Sequence, residues 1–190
     1  MKRAVVIAMA AAVSLVLAGR ASAHAILSPP VAKAKVLQQF TLAVPTEEAN
    51  ATTTQIELTV PNGFAIDSFE PEPGWKRSEQ ATGSGEEKVV QKVTWSGGKV
   101  PTGEDAVFRL NASLDSSKTY VFHVRQTYSN GKIVDWSGPE SSDTPAPRID
   151  SVSSLGGGGT TLLTIIALVV AGIAVVLGIA GLAARGRPLA

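Results

Sequence analysis

Short segments of alternating apolar and polar residues, separated by turn-forming residues, most strongly constrain how this chain can fold. In the segment 52–61, Ile56, Leu58 and Val60 fall on one face of a predicted strand and polar residues on the other. No amphipathic helix lies between these segments, so the pattern predicts an all-β sandwich of Ig-like or cupredoxin-like type. The other predicted strands are 36–45, 63–69, 88–95, 106–114, 119–128 and 132–136.

The first 23 residues have the pattern of a secretory signal peptide. Lys2 and Arg3 form a basic start, residues 4–18 are apolar, and the sequence Ala-Ser-Ala at 21–23 fits a cleavage site. The sequence therefore predicts an exported protein whose mature chain begins at His24.

The other end of the chain has the pattern of a membrane anchor. Residues 160–184 contain no charged side chain and are numerous enough for a transmembrane helix. Arg185 and Arg187 follow, which predicts a cytoplasmic tail over 185–190 and an extracytoplasmic domain before the helix. The sequence thus predicts a single-pass protein of the cell membrane. Its sandwich domain would cover 24–149, joined to the helix by a Gly/Ser linker at 150–159.

The charge of the predicted exported part is negative, although the whole chain carries a formal charge of +1. Removing Lys2, Arg3 and Arg20 with the signal peptide leaves 14 basic residues against 16 acidic ones, a net charge of −2. Excluding Arg185 and Arg187 as well gives −4. A nucleic-acid partner is therefore not expected, because it would require a basic surface, whereas a cation is compatible with this charge.

The chain contains no cysteine, which excludes thiolate nucleophiles and cysteine-based zinc or blue-copper sites. Its two methionines, Met1 and Met9, both lie in the predicted signal peptide. The sequence also lacks a nucleophile elbow, a phosphate-binding loop and an HExxH motif. We therefore do not expect an enzyme.

His24 is the strongest candidate for a metal ligand. After cleavage it would carry a free α-amine beside its imidazole, and both nitrogens can be neutral donors near neutral pH. Copper(II) has the highest affinity among the common divalent metals for sites of this kind. The alternative is that His24 follows the cleavage site by chance, and the cleavage site alone favours that alternative.

His123 is the only other histidine, and its strand parity matches that of Thr119, Val121 and Arg125. We therefore expect a histidine on the sheet surface rather than a ligand. A monooxygenase-type brace needs a second histidine beside the terminal one, so a copper oxidase is the least favoured hypothesis. A carboxylate is the expected further ligand, but spacing does not choose among the acidic candidates. They are Glu47, Glu48, Glu57, Asp67, Glu70, Glu72, Asp135 and Glu140.

Tryptophan is the other informative residue type, because aromatic residues make up only 5% of the chain. Trp95 lies within a predicted strand and is expected to pack in the core. Trp136 ends a hairpin strand before Ser137, Gly138 and Pro139, where an indole could shield a metal or make a cation–π contact.

Several short motifs follow His24 in order along the predicted domain. They are V-P-T-E at 44–47, T-T-Q-I-E at 53–57, E-P-E-P-G-W at 70–75, V-T-W at 93–95, Q-T-Y-S-N-G at 126–131 and V-D-W-S-G-P-E at 134–140. Taken in this order, they resemble the YcnI family of bacterial cell-envelope proteins, and the resemblance covers nearly all of the predicted domain. It departs at the start, where His24 is followed by Ala-Ile-Leu rather than the commoner Val-x-Val, and at the tyrosine turn, which has Ser-Asn-Gly rather than Ser-Asp-Gly.

The resemblance implies a copper(II) site built as a single-histidine brace. His24 would supply its amine and imidazole, Glu47 an oxygen ligand, and Trp136 a nearby indole, with Glu48 and Glu57 as alternative carboxylates. The implied protein is an exported, membrane-anchored copper carrier acting in trafficking or homeostasis, with a copper transporter or chaperone as partner. The alternative hypothesis is a metal-free β-sandwich that serves as an interaction module of the cell envelope.

Overall fold

The computed structural model describes residues 24–85, 88–156 and 162–185, and side chains within the last range for 164–179. The predicted signal peptide, residues 157–159 of the predicted linker and residues 186–190 of the predicted tail lie outside these ranges. The described residues form twelve strands and one helix. They are β1 (Ile26–Ser28), β2 (Val31–Lys33), β3 (Gln38–Pro45), β4 (Thr52–Thr59), β5 (Phe64–Phe69), β6 (Lys76–Thr82), β7 (Val89–Pro101), β8 (Asp105–Leu114), β9 (Thr119–Val121), β10 (His123–Tyr128), β11 (Ile133–Trp136), β12 (Arg148–Val152) and α1 (Leu162–Arg185).

The strands form three sheets. One sheet has four antiparallel strands in the order β1-β3-β8-β5, and a second has five antiparallel strands in the order β11-β10-β4-β7-β6. A small third sheet has the order β2-β12-β9, in which β12 runs parallel to β2 and antiparallel to β9. The first two sheets pack face to face, as the alternating sequence predicts.

Aromatic pairs fill the core, both between the two main sheets and within the four-stranded one. Trp95 of β7 stacks on Phe108 of β8 with ring centroids 4.2 Å apart. Phe64 of β5 contacts Phe40 and Phe122 edge to face, with ring centroids at 5.2 and 4.8 Å. Because successive strand residues point to opposite faces, the remaining inward positions of these strands supply the aliphatic part of the same core.

Four strands have no counterpart among the predicted ones: β1, β2, β6 and β12. Strand β6 is an exposed edge strand with no buried residue, so it lacks the apolar alternation by which strands are recognised. Strand β12 buries only Ile149 and Ser151. It extends to Val152, so the first three residues of the segment predicted as linker belong to the third sheet.

The predicted strand 119–128 is divided at Phe122. The backbone N–H of Phe122 donates a 2.8 Å hydrogen bond to the carbonyl of Pro147. Thr119–Val121 therefore pairs with β12 in the third sheet, whereas His123–Tyr128 pairs with β4 and β11 in the five-stranded sheet.

Helix α1 belongs to a second unit that begins at Gly156, whereas all twelve strands lie in the first. The helix covers most of the segment predicted to cross the membrane. Within the described part of the chain, no helix has both the length and the apolarity required of a membrane span, so the structure does not confirm that prediction.

Candidate metal centre

Strand β1 fixes the position of His24. In the antiparallel pairing of β1 with β3, Ile26 lies opposite Ala43. Continuing this register by two residues places His24 opposite Pro45, and Glu47 follows two residues later. The two predicted ligands therefore lie at the same end of the four-stranded sheet, and both side chains are exposed.

Hydrogen bonds hold the chain in place where it leaves β3. The N–H of Thr46 donates to the carbonyl of Glu104 at 3.0 Å, and the N–H of Gly103 donates to the carbonyl of Thr46 at 2.9 Å. The N–H of Glu47 donates to the hydroxyl of Tyr128 at 3.4 Å. Burial raises the pKa of Tyr128, so this hydroxyl stays neutral around physiological pH. The backbone that carries Glu47 is thus anchored on both sides.

Glu48, the first alternative carboxylate, is engaged by the hairpin between β10 and β11. Its carboxylate forms an ion pair with Lys132 and accepts a 3.2 Å hydrogen bond from the Asn130 side chain. The hydrogen bond from Lys132 lowers the pKa of Glu48. A metal at Glu48 would have to displace this lysine.

Glu57, the second alternative carboxylate, lies on the outer face of the five-stranded sheet. Its neighbours Ile56 and Leu58 are fully buried, so Glu57 points away from the core. The carboxylate pairs with Lys92 at 3.3 Å and accepts a 2.8 Å hydrogen bond from Gln55. Glu48 and Glu57 thus each have a lysine partner that a metal ion would have to displace.

Trp136 lies in the core rather than at an open loop mouth. Its exposed fraction is 1%, and its N–H donates a 3.0 Å hydrogen bond to the side-chain carbonyl of Gln126. Strand β11 pairs with β10 so that Trp136 lies opposite the buried Val124. Because this strand parity turns the indole inward, Trp136 could act on a bound ion only from beneath the surface.

Sequence reasoning missed Gln126, which connects these features. The side chain is fully buried, and its amide group donates to the carbonyl of Pro45 at 2.9 Å and to the hydroxyl of Thr53 at 2.7 Å. One signal was present in the sequence: Gln126 shares the inward parity of Phe122 and Val124. A carboxamide at a core position must find hydrogen-bond partners there.

Sequence reasoning also left Glu140 undistinguished among the acidic residues. A groove of about 370 Å³ is lined by residues 24–28 and Pro30 on one side and by residues 145–148 and Glu140 on the other. Glu140 forms an ion pair with Arg148, which lines the same side of this groove. Glu140 is thus the acidic residue that lines the groove beside His24, and it is paired with an arginine.

His123 is exposed, as the sequence indicates, and lies opposite Thr59 at the far end of β4. No group of three potential metal ligands in the described ranges includes His123.

The described side chains at this end of the sheet do not form a ready-made metal cluster. No group of three histidine, aspartate or glutamate side chains suited to a metal occurs in the described ranges. A brace draws an amine and an imidazole from one residue, so it needs only one further carboxylate. His24 and Glu47 are the residues that the resemblance implies for such a brace.

Sequence comparison places the chain in a family. Residues 24–151 match the family described as "Domain of unknown function (DUF1775)". The chain belongs to this family. Over 189 residues it is 31% identical to the copper-binding protein CutI of Bacillus subtilis (strain 168), with 88% of each chain covered. These matches confirm the resemblance to the YcnI family.

Structural comparison agrees with this assignment. The crystal structure of an uncharacterized protein from Nocardia farcinica, which has an immunoglobulin-like fold, matches with a TM-score of 0.56. The two chains are 28% identical over 68% of this chain and 98% of the other. The all-β sandwich predicted from the sequence is therefore of the Ig-like type.

Proposed function

We propose that this DUF1775 protein is an exported copper(II)-binding protein whose site is built on His24 as the first residue of the mature chain. The observation that carries the proposal is the pairing of β1 with β3. Its register, continued two residues beyond Ile26, brings His24 opposite Pro45, and Glu47 follows Pro45 by two residues. Similarity to a protein named for copper binding supports copper as the metal.

The chemistry follows from the donors. His24 would provide the terminal amine and the imidazole, Glu47 would provide an oxygen, and the buried indole of Trp136 would lie beneath the site. The amine is available only after cleavage between Ala23 and His24. No thiolate or thioether is present after residue 23, so copper(I) would bind poorly and reduction would favour release. This behaviour suits a carrier in copper trafficking or homeostasis.

The proposal includes a membrane anchor. The uncharged run at 160–184, followed by Arg185 and Arg187, supports a single membrane pass with a cytoplasmic C-terminus. A copper transporter or chaperone at the same membrane would then exchange the ion with His24. Copper would be cargo rather than a catalytic cofactor, since the second histidine of an oxidative brace lies on the other end of β4.

A titration of the fragment 24–155, which contains all twelve strands, tests the proposal. The fragment should be prepared with His24 at its authentic N-terminus and beside a control that carries one glycine before His24. We expect one tight equivalent of copper(II) with a nitrogen-rich paramagnetic resonance spectrum, lost in the control. Equal weak binding by both proteins would reject the brace and favour the metal-free interaction module.

A further inference from the structure

We infer that Gln126 is a positioning residue for the copper site, an inference that rests on the proposed function. Its side chain links two regions that the sequence treats as separate: the end of β3, which leads to Glu47, and Trp136. Gln126 does not contact the metal in this proposal. Instead, its side chain keeps the segment that leads to Glu47 and the indole of Trp136 in fixed positions relative to each other.

The hydrogen bonds of Gln126 fix its orientation without ambiguity. The Pro45 carbonyl can only accept, so the Gln126 atom 2.9 Å away must be the amide nitrogen. The Trp136 N–H can only donate, so the atom 3.0 Å from it must be the amide oxygen. The second amide hydrogen goes to the Thr53 hydroxyl at 2.7 Å. Both hydrogens and the oxygen of the carboxamide therefore have partners.

This network extends to the residue next to Glu47. The Thr53 hydroxyl lies 2.7 Å from the hydroxyl of Thr46, and both side chains are buried. Gln126 thus reaches the Pro45–Glu47 segment twice, once through the Pro45 carbonyl and once through the two threonines. Buried hydrogen bonds of this kind are costly to leave unmade, so they restrict the segment to one arrangement.

The location of the network gives it a role beyond packing. Pro45 is the residue opposite His24 in the continued β1–β3 register, and Glu47 follows two residues later. A shift of the Pro45 carbonyl would therefore change the separation between the two proposed ligands. An apolar side chain could fill the volume of Gln126 but could not hold this carbonyl. Outer-sphere partners that orient metal ligands typically contribute 10–100-fold to metal affinity.

The substitution Gln126→Met tests the inference in the fragment 24–155 with its authentic N-terminus. It keeps the length of the side chain and removes all three hydrogen bonds. We expect copper(II) affinity to fall by about 10–100-fold and the copper hyperfine splitting to change, while the far-ultraviolet circular dichroism stays native. Val93→Ala is the matched control, because Val93 is fully buried in the same sheet but lies on β7, which does not pair with β10 or β11. It should lower stability without changing the copper spectrum or affinity.

A second variant protects the test against a protein that fails to fold. Gln126→Glu keeps an oxygen for the Trp136 N–H but, when ionised, donates nothing to Pro45 or Thr53. It should therefore weaken copper binding in the same direction as Gln126→Met. Native affinity and an unchanged spectrum in either folded variant would overturn the positioning role. If instead the wild-type fragment bound copper(II) no more tightly than the control with one glycine before His24, the proposed function would be overturned, and the inference with it.

Discussion

The indole N–H of Trp136 donates a 3.0 Å hydrogen bond to the side-chain oxygen of Gln126, and neither side chain is more than 1% exposed. The two residues lie on adjacent strands of one hairpin, so the bond joins β10 to β11 through side chains as well as backbone. In the core, neither group has water available as a substitute partner. The stability of this end of the sandwich should therefore depend on both.

Trp136→Phe should destabilise the fold by about 1–3 kcal/mol for the unpaired Gln126 oxygen, in addition to the loss of packing. Urea unfolding of the fragment 24–155 would measure this change in the free energy of unfolding. Adding Gln126→Met to Trp136→Phe should cost less than the sum of the two single changes, because both remove the same bond. Simple additivity would show that the bond contributes little.

The choice of carboxylate can be tested with four isosteric changes. Glu47→Gln should weaken copper(II) binding at least tenfold, or about 1.4 kcal/mol, because a neutral amide is a poorer ligand than a carboxylate. Glu48→Gln and Glu57→Gln should leave the affinity unchanged, since both carboxylates are already paired with lysines. Competition with a copper chelator would measure the affinities of all four variants. If Glu140→Gln lowered the copper(II) affinity more than Glu47→Gln did, the carboxylate ligand would be Glu140, in the groove beside β1.

Lys132 gives the Glu48 carboxylate a pH-dependent contribution to stability. Its hydrogen bond lowers the pKa of Glu48 below the ordinary value of 4.5, so the unfolded chain binds the proton more readily than the folded one. The contribution is therefore present above pH 4.5 and disappears as the pH falls through the lowered pKa. Thermal unfolding of wild type and Glu48→Gln should differ most near pH 6 and converge near pH 3. A constant difference across this range would contradict the assignment.

Gly98 provides the space in which Trp75 packs. A Cβ at Gly98 would overlap the Trp75 ring, which also contacts Phe108 with ring centroids 5.0 Å apart. Gly98→Ala should therefore destabilise the domain by about 1–3 kcal/mol through overpacking. Urea unfolding would measure the change. In a Trp75→Ala background, Gly98→Ala should have little effect on the free energy of unfolding. An equal loss of stability in both backgrounds would show that the cause lies in the backbone of β7 rather than in overlap with the Trp75 ring.

The fold was largely predictable because its inner strands alternate cleanly. Ile56 and Leu58, for example, face the core as the alternation predicts. Strand β6 was not predictable in this way, because its pairing with β7 is made by backbone groups and its side chains remain in solvent. The spacing of apolar residues indicates which side chains are buried, so it cannot reveal an edge strand whose side chains are exposed.

The candidate site was predictable only in part. The position of His24 after the cleavage signal could be found from local sequence, and the resemblance supplied Glu47 and Trp136. The environment of Trp136 could not be found in this way, because it depends on a partner on the next strand and on strand parity. Gln126 and Glu140 were missed for the same reason: their importance comes from residues that are distant in sequence, Pro45 for one and His24 for the other.

The three-residue strand β1 has a consequence for how tightly a chain end can hold an ion. The first residues of a domain are usually poorly ordered, and restricting one residue's backbone costs about 1–2 kcal/mol. Here the sheet fixes the chain from Ile26 onward, only two residues after His24. In the proposed mature chain, most of the cost of ordering the residues near its terminus is thus met when the protein folds. An ion captured at His24 would have little loose chain left to restrain, and its release would not require the sheet to open.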